Sequence, residues 1–142
     1  MDHVVYLDHK AKELENLKLG TKTMIIRGAT GRKLPYGRVN ASDVLFFIEN
    51  KGDGFIKAKG IVDTVFFSEK LSPEVSSQMV TDHQDELLLD SKLKKRFAGK
   101  RYLTLIKVKN FEIITPFKID KSNYSTMDDW LAVEDISNVM ID

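Results

Sequence analysis

The chain changes its hydrophobic period several times, and each change predicts an element. Residues 9–18 (HKAKELENLK) place Ala11, Leu14 and Leu17 on one helical face, with Gly20 positioned to end the helix. Lys22 to Arg27 carries Met24-Ile25-Ile26 between two cations and reads as a short strand. Gly28 to Gly37 holds three glycines and one proline and is expected to be a loop. Asp43 to Glu49 (DVLFFIE) is almost continuously apolar, as in a strand buried on both faces. Asn50-Lys-Gly-Asp-Gly54 signals a hairpin, and Phe55 to Phe67 returns as a long strand with Gly60 as a bulge or sharp bend.

Ser72-Pro73-Glu74 is a helix start: a serine cap, proline in the first turn and an acid beside it. The helical pattern continues with interruptions to about Leu89, and Ser91 to Ala98 forms another helix or turn closed by Gly99. Arg101 to Asn110 (RYLTLIKVKN) alternates strictly and is the clearest strand; Phe111 to Ile119 is a further one, broken or bent at Pro116. Met127 to Ile136 is expected to be a short helix carrying Trp130. Strands follow one another as hairpins rather than alternating with helices. The fold class expected is therefore α+β: a curved, mainly antiparallel sheet or small barrel flanked by helices.

At 142 residues, the whole of 1–142 is expected to form a single domain. Hydrophobic content of 42% and charged content of 30% place it with globular proteins. No apolar run approaches the ~20 residues of a membrane helix, and the N-terminus lacks the basic and apolar regions of a signal peptide. The absence of cysteine excludes disulfides, thiolate catalysis and Cys-ligated metal sites, so the expected location is cytoplasmic. A net charge of +1 conceals strong segregation. Lys18 to Arg38 has six Lys or Arg and no acid, and Lys92 to Lys109 has eight and no acid. Ser72 to Asp90 and Ser122 to Asp142 each hold five acids and no Lys or Arg. Such blocks either cancel in the fold or leave one face basic.

The candidate chemistry lies in the two basic blocks. Lys22 would supply a point charge and Arg27 a planar fork for a phosphate or base edge; the alternative is that Arg27 pins a loop by pairing with a carboxylate such as Asp43. Arg32, Lys33 and Arg38 surround Tyr36, and an aromatic among cations suits single-stranded nucleic acid, although a solvated loop has the same composition. Lys94, Lys95 and Arg101, with Lys92, Arg96 and Lys100, form a second cluster that reads as an RNA-backbone contact or as a solvated helix face. His3, His9 and His83 have no metal-ligand spacing, and no cofactor or metal is expected. Asp128-Asp129 before Trp130 fits first-turn acids of a helix better than an acid–base pair.

Element order and residues together resemble the ASCH family of the PUA-like superfamily. Its signature, Gly-x-Lys-x-x-Glu-x-Arg after an N-terminal helix, is matched here by Gly20, Lys22 and Arg27, with Ile25 in the glutamate position. Ser42-Asp43-Val-Leu-Phe-Phe matches the family's Asp and apolar strand without its Gly. Tyr102-Leu-Thr-Leu-Ile-Lys-Val and Ile114-Thr-Pro116-Phe resemble its closing strands. The resemblance implies a small β-barrel flanked by helices, with a cleft along the signature strand, that binds RNA or a modified nucleotide. It also implies an alternative, a small amidohydrolase acting on acylated cytidines, in which the signature lysine, here Lys22, is catalytic. There a threonine fills the glutamate position, and Ile25 can neither donate, accept nor attack. A protein-interaction domain is the remaining alternative.

Overall fold

The computed structural model describes residues 1–124 and 129–141. Six strands form one sheet in the order β2-β5-β4-β3-β1-β6. They are β1 (Asp2–Asp8), β2 (Met24–Ala29), β3 (Val44–Asn50), β4 (Phe55–Phe67), β5 (Tyr102–Lys118) and β6 (Trp130–Glu134). The helices are α1 (Glu13–Leu19), α2 (Pro73–Asp82), α3 (Gln84–Leu87) and α4 (Ser91–Phe97). All pairings are antiparallel except β1 with β3. The sheet is curled: Arg27 on β2 donates a hydrogen bond to the Tyr6 carbonyl on β1, although three strands separate β2 from β1. This is the α+β half-barrel with flanking helices that the periodicity implies. None of the described helices is long and apolar enough to cross a membrane.

Around β1, β2, β3 and the start of β5 both faces of the sheet are covered, which explains why these segments are so evenly apolar. Val5, Leu7, Ile25, Leu45, Phe47, Ile106 and Trp130 fill the inside of the curl, with Leu17 of α1. On the outside, Met24, Ile26, Leu103 and Leu105 meet Val80, Leu87, Leu93 and Phe97 from the helical segment. Val4, Phe46, Leu131 and Val133 form a third apolar group. Adjacent residues on β2 thus alternate between two cores, and Arg27 follows Ile25 onto the inner face at the barrel mouth.

Local signals placed most elements. Gly20 ends α1 in the left-handed region, and the Ser72 hydroxyl caps α2 by accepting from Val75 N–H. Gly60 sits at a register shift of β4 against β5, where a Cβ would lie 2.7 Å from Val108 and 3.3 Å from Phe47. Three expectations are corrected, and one strand appears that no expectation covered. Helix α1 begins at Glu13 rather than His9, after a turn. Residues 2–8 form β1, an inner strand between β3 and β6. Tyr102–Lys118 is one continuous strand, β5, accommodating its bend by register shifts at Asn110 and across Pro116 instead of breaking. Trp130 to Glu134 is strand rather than helix: Trp130 packs inside the curl while Leu131 and Val133 pack together elsewhere. Of that expected helix, Met127 and Asp128 lie outside the described residues.

Candidate functional site

The curl leaves an opening between β2 and β1, and Arg27 spans it. The residue is 7% exposed. Its Nη1 donates to the Ile26 carbonyl at 2.8 Å and its Nη2 to the Tyr6 carbonyl at 2.6 Å. The guanidinium lies 5.7 Å from the Trp130 ring centroid. Its Nε faces Asp129 Oδ2 at 3.3 Å, an ion pair without hydrogen-bond alignment, so Nε has no hydrogen-bond partner among the described residues. Arg96, from α4, donates to the same Asp129 oxygen, also at 3.3 Å. Arg27 therefore pairs with Asp129 and not with Asp43, which accepts from His3 instead.

Two adjoining hollows share Arg27, Arg96 and Asp129. The narrower, between β2, the loop after it and β5, is lined further by Lys33, Tyr36, Tyr102 and Thr104. The wider encloses about 330 Å³ and is lined further by Tyr6, Asp8, Glu13, Lys51 and Lys121. Its volume is within the range of small-ligand sites. Cations outnumber acids in the narrower hollow, Arg27, Lys33 and Arg96 against Asp129.

Lys22 is not a free point charge in this cleft. It is 1% exposed, donates to the Leu87 carbonyl and lies 3.3 Å from Glu13 Oε2. Burial pushes its ammonium pKa down, and the Glu13 carboxylate only partly offsets that. Glu13, which also accepts from Asp8 N–H, itself reaches the wider hollow. Lys22 precedes β2 instead of lying on it, so strict strand alternation does not fix its direction. Ile25 is wholly buried inside the barrel.

The basic loop is ordered by its aromatic residue. Tyr36 donates to the Ser68 carbonyl and packs on Phe67 and Tyr102. Arg32 lies over both tyrosine rings, 5.9 Å from Tyr36 and 5.6 Å from Tyr102. Lys33 lines the narrower hollow, and Arg38 is exposed beyond it. In the second cluster, Lys95 and Arg101 line a shallow surface depression with Lys100, and Lys94 is half-buried. Arg96 is the member of that cluster that reaches the cleft. Sequence reasoning missed Glu13, Tyr6, Lys51 and Lys121 and read Asp129 as a first-turn helix acid, whereas it precedes a strand and pairs with two arginines; the signature pointed to Arg27 but not to its partners.

The histidines lie elsewhere. His3 is buried between Asp43 and Trp130. His9 pairs with Glu49 at the surface, and His83 contacts the Met79 carbonyl. Among the described residues no three His, Asp or Glu side chains converge as a metal would require.

No family model matches the chain, and no curated protein is similar to it. Solved structures are. A crystal structure of ASCH from Zymomonas mobilis superposes with TM-score 0.65 at 15% identity, over 94% of this chain and 89% of that one. A mutant of the Zymomonas mobilis protein gives TM-score 0.66 at 12% identity, over 91% of this chain and 87% of that one. At such identity the likeness is one of architecture, and it extends over nearly the whole of both chains. The curled six-stranded sheet and its flanking helices thus share the fold of these ASCH structures.

Proposed function

We propose that the cleft at the barrel mouth binds RNA or a modified nucleotide. The observation that carries this reading is Arg27: a nearly buried guanidinium at the wall of the cleft, held by two carbonyls and a tryptophan ring, whose Nε–H faces Asp129 without a hydrogen bond among the described residues. Holding a charge in this way is costly unless it is paired, and its orientation is fixed in advance of any ligand. Tyr36, Tyr102, Arg32 and Lys33 beside it offer stacking surfaces among cations, the combination single-stranded nucleic acid uses. Lys94, Lys95, Lys100 and Arg101 would extend the footprint along the backbone.

Titration with short single-stranded and structured RNAs at two salt concentrations tests this. Binding is expected to weaken steeply with salt, because occupied phosphates release counterions. Arg27→Gln is expected to weaken it roughly tenfold or more, the loss of a charge-assisted hydrogen bond. RNA binding that survives unchanged in the variant would remove the cleft from the interface.

A second reading is favoured by one specific contact. The buried Lys22–Glu13 pair, with Glu13 reaching the cleft, is an arrangement a small nucleoside amidohydrolase would use, Lys22 having its pKa lowered by burial. Ile25 in the barrel core supplies no hydroxyl beside it. Release of free cytidine from an acylated cytidine by the wild-type protein would support that reading, and absence of turnover would exclude it for that substrate.

A further inference from the structure

Asp129 makes an unusual contact for a cleft proposed to bind anions. A single carboxylate oxygen lies 3.3 Å from two guanidinium groups on different elements, Arg27 of β2 and Arg96 of α4. Both distances exceed the ~2.7–2.9 Å of a good charge-assisted hydrogen bond, and one nitrogen, Arg27 Nε, makes no hydrogen bond at all among the described residues. Two cations thus share one oxygen, and neither is closely bonded to it. The two sides differ in freedom. Arg27 is fixed by the Ile26 and Tyr6 carbonyls and by Trp130. The Arg96 side chain is 56% exposed and can swing. Among the described residues the Asp129 carboxylate contacts only these two arginines, while its backbone carbonyl accepts from Tyr6 N–H at 3.0 Å, so the carboxylate can leave them by rotation of the side chain with the backbone held.

We propose that Arg27 and Arg96 form a phosphate seat whose resting occupant is the protein's own Asp129 carboxylate, which an incoming phosphate group displaces. A phosphate brings more acceptor oxygens than a carboxylate. It can engage Arg27 Nε and Arg96 together, with Lys33 at the edge of the narrower hollow. Asp129 then acts as a competitor that excludes weak anions and keeps two like charges together in the empty cleft. This deepens the nucleotide-binding reading and rests on it for the identity of the ligand. The phosphate belongs either to an RNA backbone or to a free nucleotide.

The test compares wild type, Asp129→Asn, Arg96→Gln and the double variant. The probes are inorganic phosphate, a nucleoside, its 5′-monophosphate and a short single-stranded RNA. Asparagine keeps the size of the side chain and the backbone bond to Tyr6, and thermal melts establish that each variant folds. Asp129→Asn is expected to bind the monophosphate about tenfold tighter than wild type, as removal of one competing charge allows. Arg96→Gln should cancel that gain, and nucleoside binding should not respond to either change. Equal or weaker monophosphate binding by Asp129→Asn would overturn the proposal, as would its failure to bind phosphate or monophosphate at all. A nucleoside that binds as well as its monophosphate and is lost in Asp129→Asn would also overturn it, assigning the carboxylate to a base amino group. RNA binding that ignores Asp129 but requires Arg27 would leave the broader reading standing without this seat. Monophosphate gain with no RNA binding would keep the seat and name a free nucleotide as its occupant.

Discussion

At the scale of single residues, position in the fold overrides residue type. His3 is wholly buried, and the Trp130 indole, which can only donate, donates to its Nδ1 at 3.0 Å. The ring proton must then sit on Nε2, where it is donated to Asp43 at 2.9 Å. Protonating Nδ1 would set two N–H groups against each other. Burial accordingly pushes the His3 pKa below its ordinary 6.5, more than the Asp43 carboxylate raises it. Burial alone would push the Asp43 carboxyl up, but hydrogen bonds from His3 and the Asn40 N–H outweigh it and leave its pKa below 3.8. The sign for stability follows. Above about pH 6.5 both folded and unfolded chains hold a neutral His3. As the pH falls below that value, the unfolded chain binds a proton that the folded one does not, and stability drops. The limiting slope for one such proton is about 1.4 kcal/mol per pH unit. Urea denaturation at pH 7.5, 6.5 and 5.5 should show the drop in wild type and a shallower one in His3→Gln. Parallel profiles would contradict this account.

At the scale of elements, the Lys22–Glu13 pair fastens three pieces together. Glu13 opens α1, Lys22 leads into β2, and the Leu87 carbonyl that Lys22 also serves closes α3. Lys22→Met strands a buried carboxylate and is expected to cost about 3–5 kcal/mol, measured by denaturant unfolding. Adding Glu13→Gln should restore much of that loss, because an uncharged pair no longer leaves an unpaired charge. A double variant no more stable than Lys22→Met would show that the pair is not coupled. The contact also explains why a lysine beside Gly20 looked like a binding residue in the sequence. The spacing identified an important position, but its partners, 9 and 65 residues away in the chain, turn the ammonium inward.

At the scale of the whole molecule, the N-terminal segment is an interior part. Chain ends ordinarily fray. Here Val4 and Val5 pair with Phe46 and Phe47 on one side and with Leu131 and Trp130 on the other. Amide hydrogen exchange should therefore find Val4 and Val5 protected like β3 and β4 and far more than the surface turns. Fast exchange there would mean that β1 opens independently of the sheet. The same strand supplies the Tyr6 carbonyl to Arg27, so the cleft depends on β1 being in place.

Much of the architecture was legible because its signals are local. A glycine in a left-handed cap, a serine before proline, a glycine-rich hairpin and strict alternation in Arg101 to Asn110 each fix the backbone nearby. Those signals carried the helices, the hairpin, the long strands and the prominence of Arg27. Two strands escaped them. Val4 to Leu7 and Trp130 to Glu134 are short apolar runs whose conformation depends on each other and on β3, about 40 and 130 residues distant in the chain. The site was hidden for the same reason. The chain by itself determined which side chains are cationic and which segments turn or extend. Only closure of the curl decided that Arg27 faces Asp129 and Arg96 across an opening while Lys22 is sealed behind Glu13, because burial and charge pairing are set by neighbours that the sequence keeps far apart.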